Sequence, residues 1–394
     1  MTMKRLFALA LVLAVMVALL PAAPVFAQGA DDVFCGDLSS EDCTILEDAA
    51  MADKESNEGA YDMTLDIELD GVPNAPFDTF AFTLNLSSVY RVDPDAAAEL
   101  EAMSGMEIDP GDTDTVSKIV TTLINGVNTY QSLNIQFPPD VAEALGAQMG
   151  APLPADITVN YAIVDGIGYL DLDSVAASFP EAEGLTGWVG TELAPIIEEA
   201  MAQAADNPDA QSAMAPAMMG MAGQQMAEQQ KEVFQQFTSI QRLDDEVVDG
   251  ADTAVFESTF DFAAFASDPA FFEIVGQQLA AMGEDAPSPA DLAQIQFMMP
   301  MIAPMLFGGL DFTTTEYIDL ETGYTTLGEL TFAWDLSTLG SLAAMAGQDA
   351  SGLPSFFGMW VTVDSADQGD AGDIEAPEGA MVVPAESIVA SMQQ

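Results

Sequence analysis

Residues 157–172, ITVNYAIVDGIGYLDL, set how the rest of this chain is read. Apolar and polar side chains alternate on both sides of Asp165-Gly166, the period-two pattern of strands with one buried face. Asp-Gly closes two-residue hairpins because both positions need positive φ, which glycine adopts at no steric cost. Such a turn sets Val164 opposite Ile167, Ala162 opposite Tyr169, Tyr161 opposite Leu170 and Val159 opposite Leu172. One face then carries Ile157, Val159, Tyr161, Ile163, Leu170 and Leu172, and the other carries Thr158, Asn160, Asp171 and Asp173 beside Tyr169. In this reading Asp165 is a turn residue rather than an acid catalyst.

The same pattern recurs outward from the hairpin. AYDMTLDIELDG (60–71) alternates strictly, with Tyr61, Met63, Leu65, Ile67 and Leu69 on one side and Asp62, Thr64, Asp66, Glu68 and Asp70 on the other. Phe80, Phe82, Leu84 and Leu86 continue it in a second strand. Further strands are expected in TYQSLNIQF (129–137), FTSIQRL (237–243), TAVFESTFDF (253–262), the hairpin FTTTEYIDLETGYTTLGELTFAWDL (312–336) and MWVTV (359–363). Between them lie helical insertions at 191–237 and 262–307, rich in Ala, Met and Gln and broken by prolines. About ten strands in sequential, mostly hairpin order, with helices inserted, make an α+β chain in which helices must cover one sheet face.

The chain has 394 residues, a formal net charge of −57 and 49% hydrophobic residues. Residues 1–27 have the order of a secretory signal peptide: basic Lys4 and Arg5, an apolar run from Leu6 to Leu20, and small residues before a cut after Ala27. Beyond it the basic residues are Lys54, Arg91, Lys118, Lys231 and Arg242, against 64 carboxylates. Such a surface repels phosphate backbones, which excludes nucleic acid, and it repels anionic lipid surfaces. After signal cleavage no stable membrane insertion is expected, because no later stretch is long and apolar enough. In an exported chain Cys35 and Cys43 are expected to form a local disulfide. They sit in an N-terminal segment, 28–58, ahead of a single domain at 59–365 and an acidic, flexible tail at 366–394.

There is no histidine, which removes the usual general base, most zinc sites and the Ser-His-Asp and Cys-His devices. No phosphate-cradling loop, dinucleotide fingerprint or nucleophile elbow is present, so neither a cofactor nor an enzymatic activity is expected. Asp109, Asp112 and Asp114 share one loop, and Asp364, Asp367, Asp370, Asp373 and Glu375 recur near the end. Neither stretch has the spacing of a calcium-binding helix-loop-helix, and both read as solvated acid with no metal. The Met-rich stretches AMAPAMMGMAG (213–223) and FMMPMIAPMLFGG (297–309) carry flexible side chains around proline kinks. They suit either core filling over the sheet or a surface that accepts varied apolar partners.

VDGIGYLDLDS (164–174) running on to GLTGWV (184–189), RLDDEVVDGADTAVFESTFDF (242–262) and YIDLETGYTTLGELTF (317–332) together resemble the LolA and LppX class of extracytoplasmic lipoprotein-like carriers. Asp165, Gly166 and Tyr169 followed by Gly187-Trp188, and the turn at Asp319, Thr322 and Gly323, carry the likeness. It implies a single strongly curved antiparallel sheet, a half-barrel, with helices covering the concave face and an apolar cavity for acyl chains. The lining residues implied are Tyr161, Leu170, Phe256, Phe260, Phe332 and Trp334. Two departures stand out: Cys35 follows Asp-Val-Phe and lacks a lipobox, and the helical insertions are long and Met-rich, so the chain's own side chains can fill the cavity. The function this implies is a secreted, non-enzymatic carrier or binder of a lipid or other apolar molecule. The rival is a structural or interaction protein of the cell surface, with a closed core and an acidic, cation-binding exterior.

Overall fold

A computed structural model describes residues 33–71, 77–104, 113–149, 152–179, 184–199, 233–272, 274, 289–338, 354–366, 368–369 and 371–387. The signal peptide, the Met-rich stretch at 213–223 and the acidic positions Asp109, Asp112, Asp367 and Asp370 lie outside them. The elements run α1 (Ser40–Glu55), β1 (Glu58–Asp70), β2 (Thr79–Val92), α2 (Pro94–Ser104), α3 (Thr113–Gly126), β3 (Val127–Gln136), α4 (Pro139–Met149), β4 (Asp156–Val164), β5 (Ile167–Asp171) and α5 (Leu172–Ser178). They continue with β6 (Trp188–Glu192), β7 (Thr238–Arg242), β8 (Glu246–Val248), β9 (Ala251–Phe260), α6 (Phe262–Ser267), α7 (Pro289–Phe307), β10 (Leu310–Asp319), β11 (Thr325–Asp335), β12 (Phe356–Ala366) and β13 (Met381–Val382).

The Asp165-Gly166 turn folds as expected, with φ of 52° and 76°. Val164 meets Ile167, Ala162 meets Tyr169 and Tyr161 meets Leu170. The Val159–Leu172 pair is not made, because Asp171 caps a helix there: its carboxylate accepts from Asp173 N, and α5 begins at Leu172.

All strands join one open sheet, a half-barrel of thirteen strands in the order β13-β6-β5-β4-β3-β2-β1-β12-β11-β10-β9-β7, with β8 beside β9. Neighbours are antiparallel except for β13, which lies parallel to β6. The strands beyond the expected ten are β6, β8 and β13, of five, three and two residues. Segments that short hold too few alternations to show a period.

Register places the apolar sides of successive strands on one common face, here called inner, on which helices lie. α1 starts at Ser39, whose hydroxyl accepts from Asp42 N, and has Glu41 and Asp42 in its first turn, where the helix dipole favours them. It buries Leu46 and Ala49 against Ala254, Phe256 and Ile318 of β9 and β10. The disulfide between Cys35 and Cys43 ties the segment before α1 to its first turns. At the other end of the sheet, Leu172 and Val175 of α5 pack on Leu86, Leu133, Tyr161 and Leu170. Ile124 of α3 packs on Ile163 beside Leu193.

The outer face carries a polar lattice over β1 to β5. Thr83 donates to Asp66 at 2.5 Å, Thr64 to Asn85 at 3.1 Å, Ser132 to Asn160 at 2.8 Å and Asn160 to Asp171 at 3.1 Å. The tail, expected to be flexible, has described residues that lie against this face: Ile374 and Ala380 pack on Ala162, Val164 and Tyr169. Asp373 pairs with Arg91 at 2.8 Å, and Val383 N donates to Gly190 O at 2.9 Å. The hairpin's mixed side therefore has apolar cover of its own.

Candidate functional site

Among the described residues, helices cover the inner face at the two ends of the strand order, α1 over β9 and β10 and α5 over β2 to β5. Side chains directly opposite in the ladders form rows that cross β10, β11, β12, β1 and β2. The first row is Leu310, Trp334, Phe357, Leu69 and Phe80; the second is Phe312, Phe332, Met359, Ile67 and Phe82. The third is Thr314, Leu330, Val361, Leu65 and Leu84, and the fourth is Glu316, Gly328, Val363, Met63 and Leu86. Leu65, Ile67, Leu69, Leu330, Phe332, Phe357, Met359 and Val361 are all only half-buried, although each points to the face that the helices occupy. Together they form a half-buried apolar floor, here called the trough.

One end of the trough is aromatic. Phe332 meets Phe262, Phe312 and Phe357 with ring centroids 6.3, 6.4 and 5.7 Å apart. Trp334 stacks on Phe307 of α7 at 5.6 Å, and its indole N–H donates to Leu306 O at 2.8 Å. The outward stripe of α7 is apolar too: Phe297 is 80% exposed and Met301 66%.

The opposite end is polar. The fifth row holds Ser365, Tyr61, Ser88, Gln131 and Tyr161, and the sixth Gly59, Tyr90, Thr129, Ile163, Gly168 and Thr191. The Tyr161 hydroxyl donates to Gln131 Oε1, and Gln131 Nε2 donates to Thr129 Oγ1 at 3.2 Å. Burial pushes the Tyr161 hydroxyl up, with Tyr61 beside it adding to the rise. Burial and then the Asp53 charge push Tyr90 up to about 12. Asp53 comes from the last turn of α1, where its carboxylate accepts from Thr325 N at 3.3 Å, and burial raises its pKa. Glu316 faces it from β10, pushed up to about 7 by burial and by the Asp53 charge. Thr191 is buried, and its Oγ1 has no hydrogen-bond partner among the described residues.

The six lining residues suggested by sequence all fall on the inner face. Tyr161 and Leu170 are 3% and 1% exposed beneath α5, and Phe256 is 2% exposed beneath α1. Phe260 is half-buried among Phe234, Phe237, Phe262 and Phe265. Phe332 and Trp334 border the trough. Asp53, Tyr61 and Glu316 escaped the sequence reading of the site. The signal for Glu316 was present, since it shares its strand face with Phe312 and Thr314, an inward position where a carboxylate is out of place.

A separate cleft of about 540 Å³ is lined by Pro139, Ala142, Glu143, Gly146 and Ala147 of α4 and by Pro152, Leu153 and Ala155, and it shares no residue with these rows. Cys35, Cys43 and Glu47 bring ligand-type atoms within 4.8 Å, but the two sulfurs are bonded to each other and offer no thiolate. Among the described residues no helix is long and apolar enough to cross a membrane.

No known family profile matches the chain, and no curated protein matches it. Among solved structures it is similar to the lipoprotein LppX of Mycobacterium tuberculosis, at 7% identity and a TM-score of 0.27, over 86% of this chain and 100% of that one. It is similar to LprF of Mycobacterium bovis at 12% identity and a TM-score of 0.30, over 86% and 99%. A third likeness is a DUF1329 family protein of Desulfovibrio piger, at 9% identity and a TM-score of 0.16, over 82% and 90%. Likenesses of this size decide nothing about a ligand.

Proposed function

We propose that this protein is an exported, non-enzymatic binder or carrier of an apolar molecule held on the inner face of its sheet. The observation behind this reading is the half-buried apolar floor formed by Leu65, Ile67, Leu330, Phe332, Met359 and Val361. Side chains left half-buried forgo stability, because each buried methylene is worth about 0.8 kcal/mol. A ligand laid along the floor gains the same energy. Phe332 and Trp334 are the lining residues in this reading, with Phe260 next to them. Tyr161, Leu170 and Phe256 act as the packed walls that hold the trough's shape.

Solvent extraction of the natively purified protein, followed by mass spectrometry, should return an apolar compound in roughly stoichiometric amount. The emptied protein should take up the uncharged dye N-phenylnaphthylamine with a blue shift, and Phe332→Ala should weaken uptake about tenfold, the scale expected for a lost aromatic contact. Empty extracts together with no dye uptake would favour the closed-core surface protein instead.

A further inference from the structure

The two ends of the trough differ in chemistry, and the difference follows strand register. Successive rows on one face lie about 6.7 Å apart. The floor passes from Trp334, Phe357 and Phe80 through Leu330, Val361 and Leu65 to Glu316, Tyr61 and Ser365. The distance from the aromatic row to the tyrosine row is therefore about 27 Å. An oil-like ligand would gain nothing from the last two rows. An amphiphile lying along the strands would use both ends.

The charges at the polar end restrict the head group. Asp53 and Glu316 present two carboxylates there, and Tyr61 and Tyr90 stand beside them. The nearest cation in register is Arg242, which lies in Glu316's row on the far side of Phe256. Its guanidinium sits over the Phe256 ring, 4.9 Å from the centroid, and its Nη2 is bonded to Asp245, while its buried Nη1 has no hydrogen-bond partner among the described residues; the Phe256 ring stands between this cation and Glu316 in the row. A carboxylate or phosphate head would meet like charge in a partly desolvated place. A head that donates hydrogen bonds would meet acceptors.

Resting on the carrier reading above, we infer that the ligand is an amphiphile with an uncharged or cationic hydrogen-bond-donating head. The head sits between Asp53, Tyr61 and Glu316, and the apolar tail runs along Met63, Leu65 and Ile67 to the aromatic end at Phe332 and Trp334. Anionic lipids are the excluded class.

The test uses the emptied full-length secreted protein and three competitors sharing one lauryl chain: dodecylamine, monolaurin and laurate. Each displaces N-phenylnaphthylamine at about pH 8, where laurate is ionised. Dodecylamine and monolaurin should displace the dye at about tenfold lower concentration than laurate. Glu316→Gln should shrink the gap between amine and laurate at least about threefold. Glu257→Gln, a charge change on the outer face of the neighbouring strand, should leave all three unchanged. Equal displacement by the three, or a preference for laurate, overturns the head-group assignment and leaves the carrier standing. Displacement by none overturns the carrier and this inference with it.

Discussion

Glu316 shows how much one side chain's placement decides. Its carboxyl is raised from 4.5 to about 7 by burial and by Asp53, a shift equivalent to roughly 3 kcal/mol at most. Below pH 4.5 the folded and unfolded chains both keep this proton. Between pH 4.5 and about 7 the unfolded chain releases it and the folded chain holds it, so stability falls as pH rises through that window and is flat for this group above it. Asp53, also raised, adds a smaller slope of the same sign. Glu316→Gln should therefore match the parent in urea unfolding near pH 4.5 and exceed it by about 2 kcal/mol near pH 8. Parallel pH profiles for the two proteins would show that another group carries the slope. A natural chain that tolerates such a penalty near neutral pH keeps the carboxylate for something other than stability.

At the scale of elements, α1 closes one end of the trough and brings Asp53 to it. Leu46, 6% exposed, is its largest buried side chain. Leu46→Ala should cost about 3 kcal/mol in urea unfolding, and it should lower the protection of β9 and β10 amides in hydrogen exchange more than that of β3 and β4. An even loss across the sheet would mean that α1 is not a local cover. This helix was hidden in the sequence because its buried face is only Leu46, Ala49 and Ala50, too few apolar positions to show a helical period. The strictly alternating strands were legible, as was the Asp165-Gly166 turn, because one residue of slip would turn every apolar side chain outward. Which stretch of the inner face a helix covers was not legible. Alternation assigns Tyr161, Leu170, Phe256, Phe332 and Trp334 to one side of the sheet and says nothing about what lies over them.

For the whole molecule the controlling quantity is a formal net charge of −57. β1 alone places Asp62, Asp66, Glu68 and Asp70 on the outer face, and the opposite face of the same strand is apolar. Apart from Asp53 and Glu316, the charge of these strands is thus kept off the inner face, an arrangement that would keep the binder proposed above soluble. Self-repulsion among these carboxylates opposes the compact state and is screened over about 10 Å at 0.1 M salt. The melting temperature should therefore climb by on the order of 5 °C between about 0.02 and 0.5 M sodium chloride, as the repulsion is damped faster than the few surface ion pairs are lost. The described ion pairs, such as Arg91 with Glu58 and Asp373, are too few to reverse the sign. A flat or falling melting curve across that range would mean that the acidic shell is already neutralised, and equilibrium dialysis against calcium would then show the bound cation.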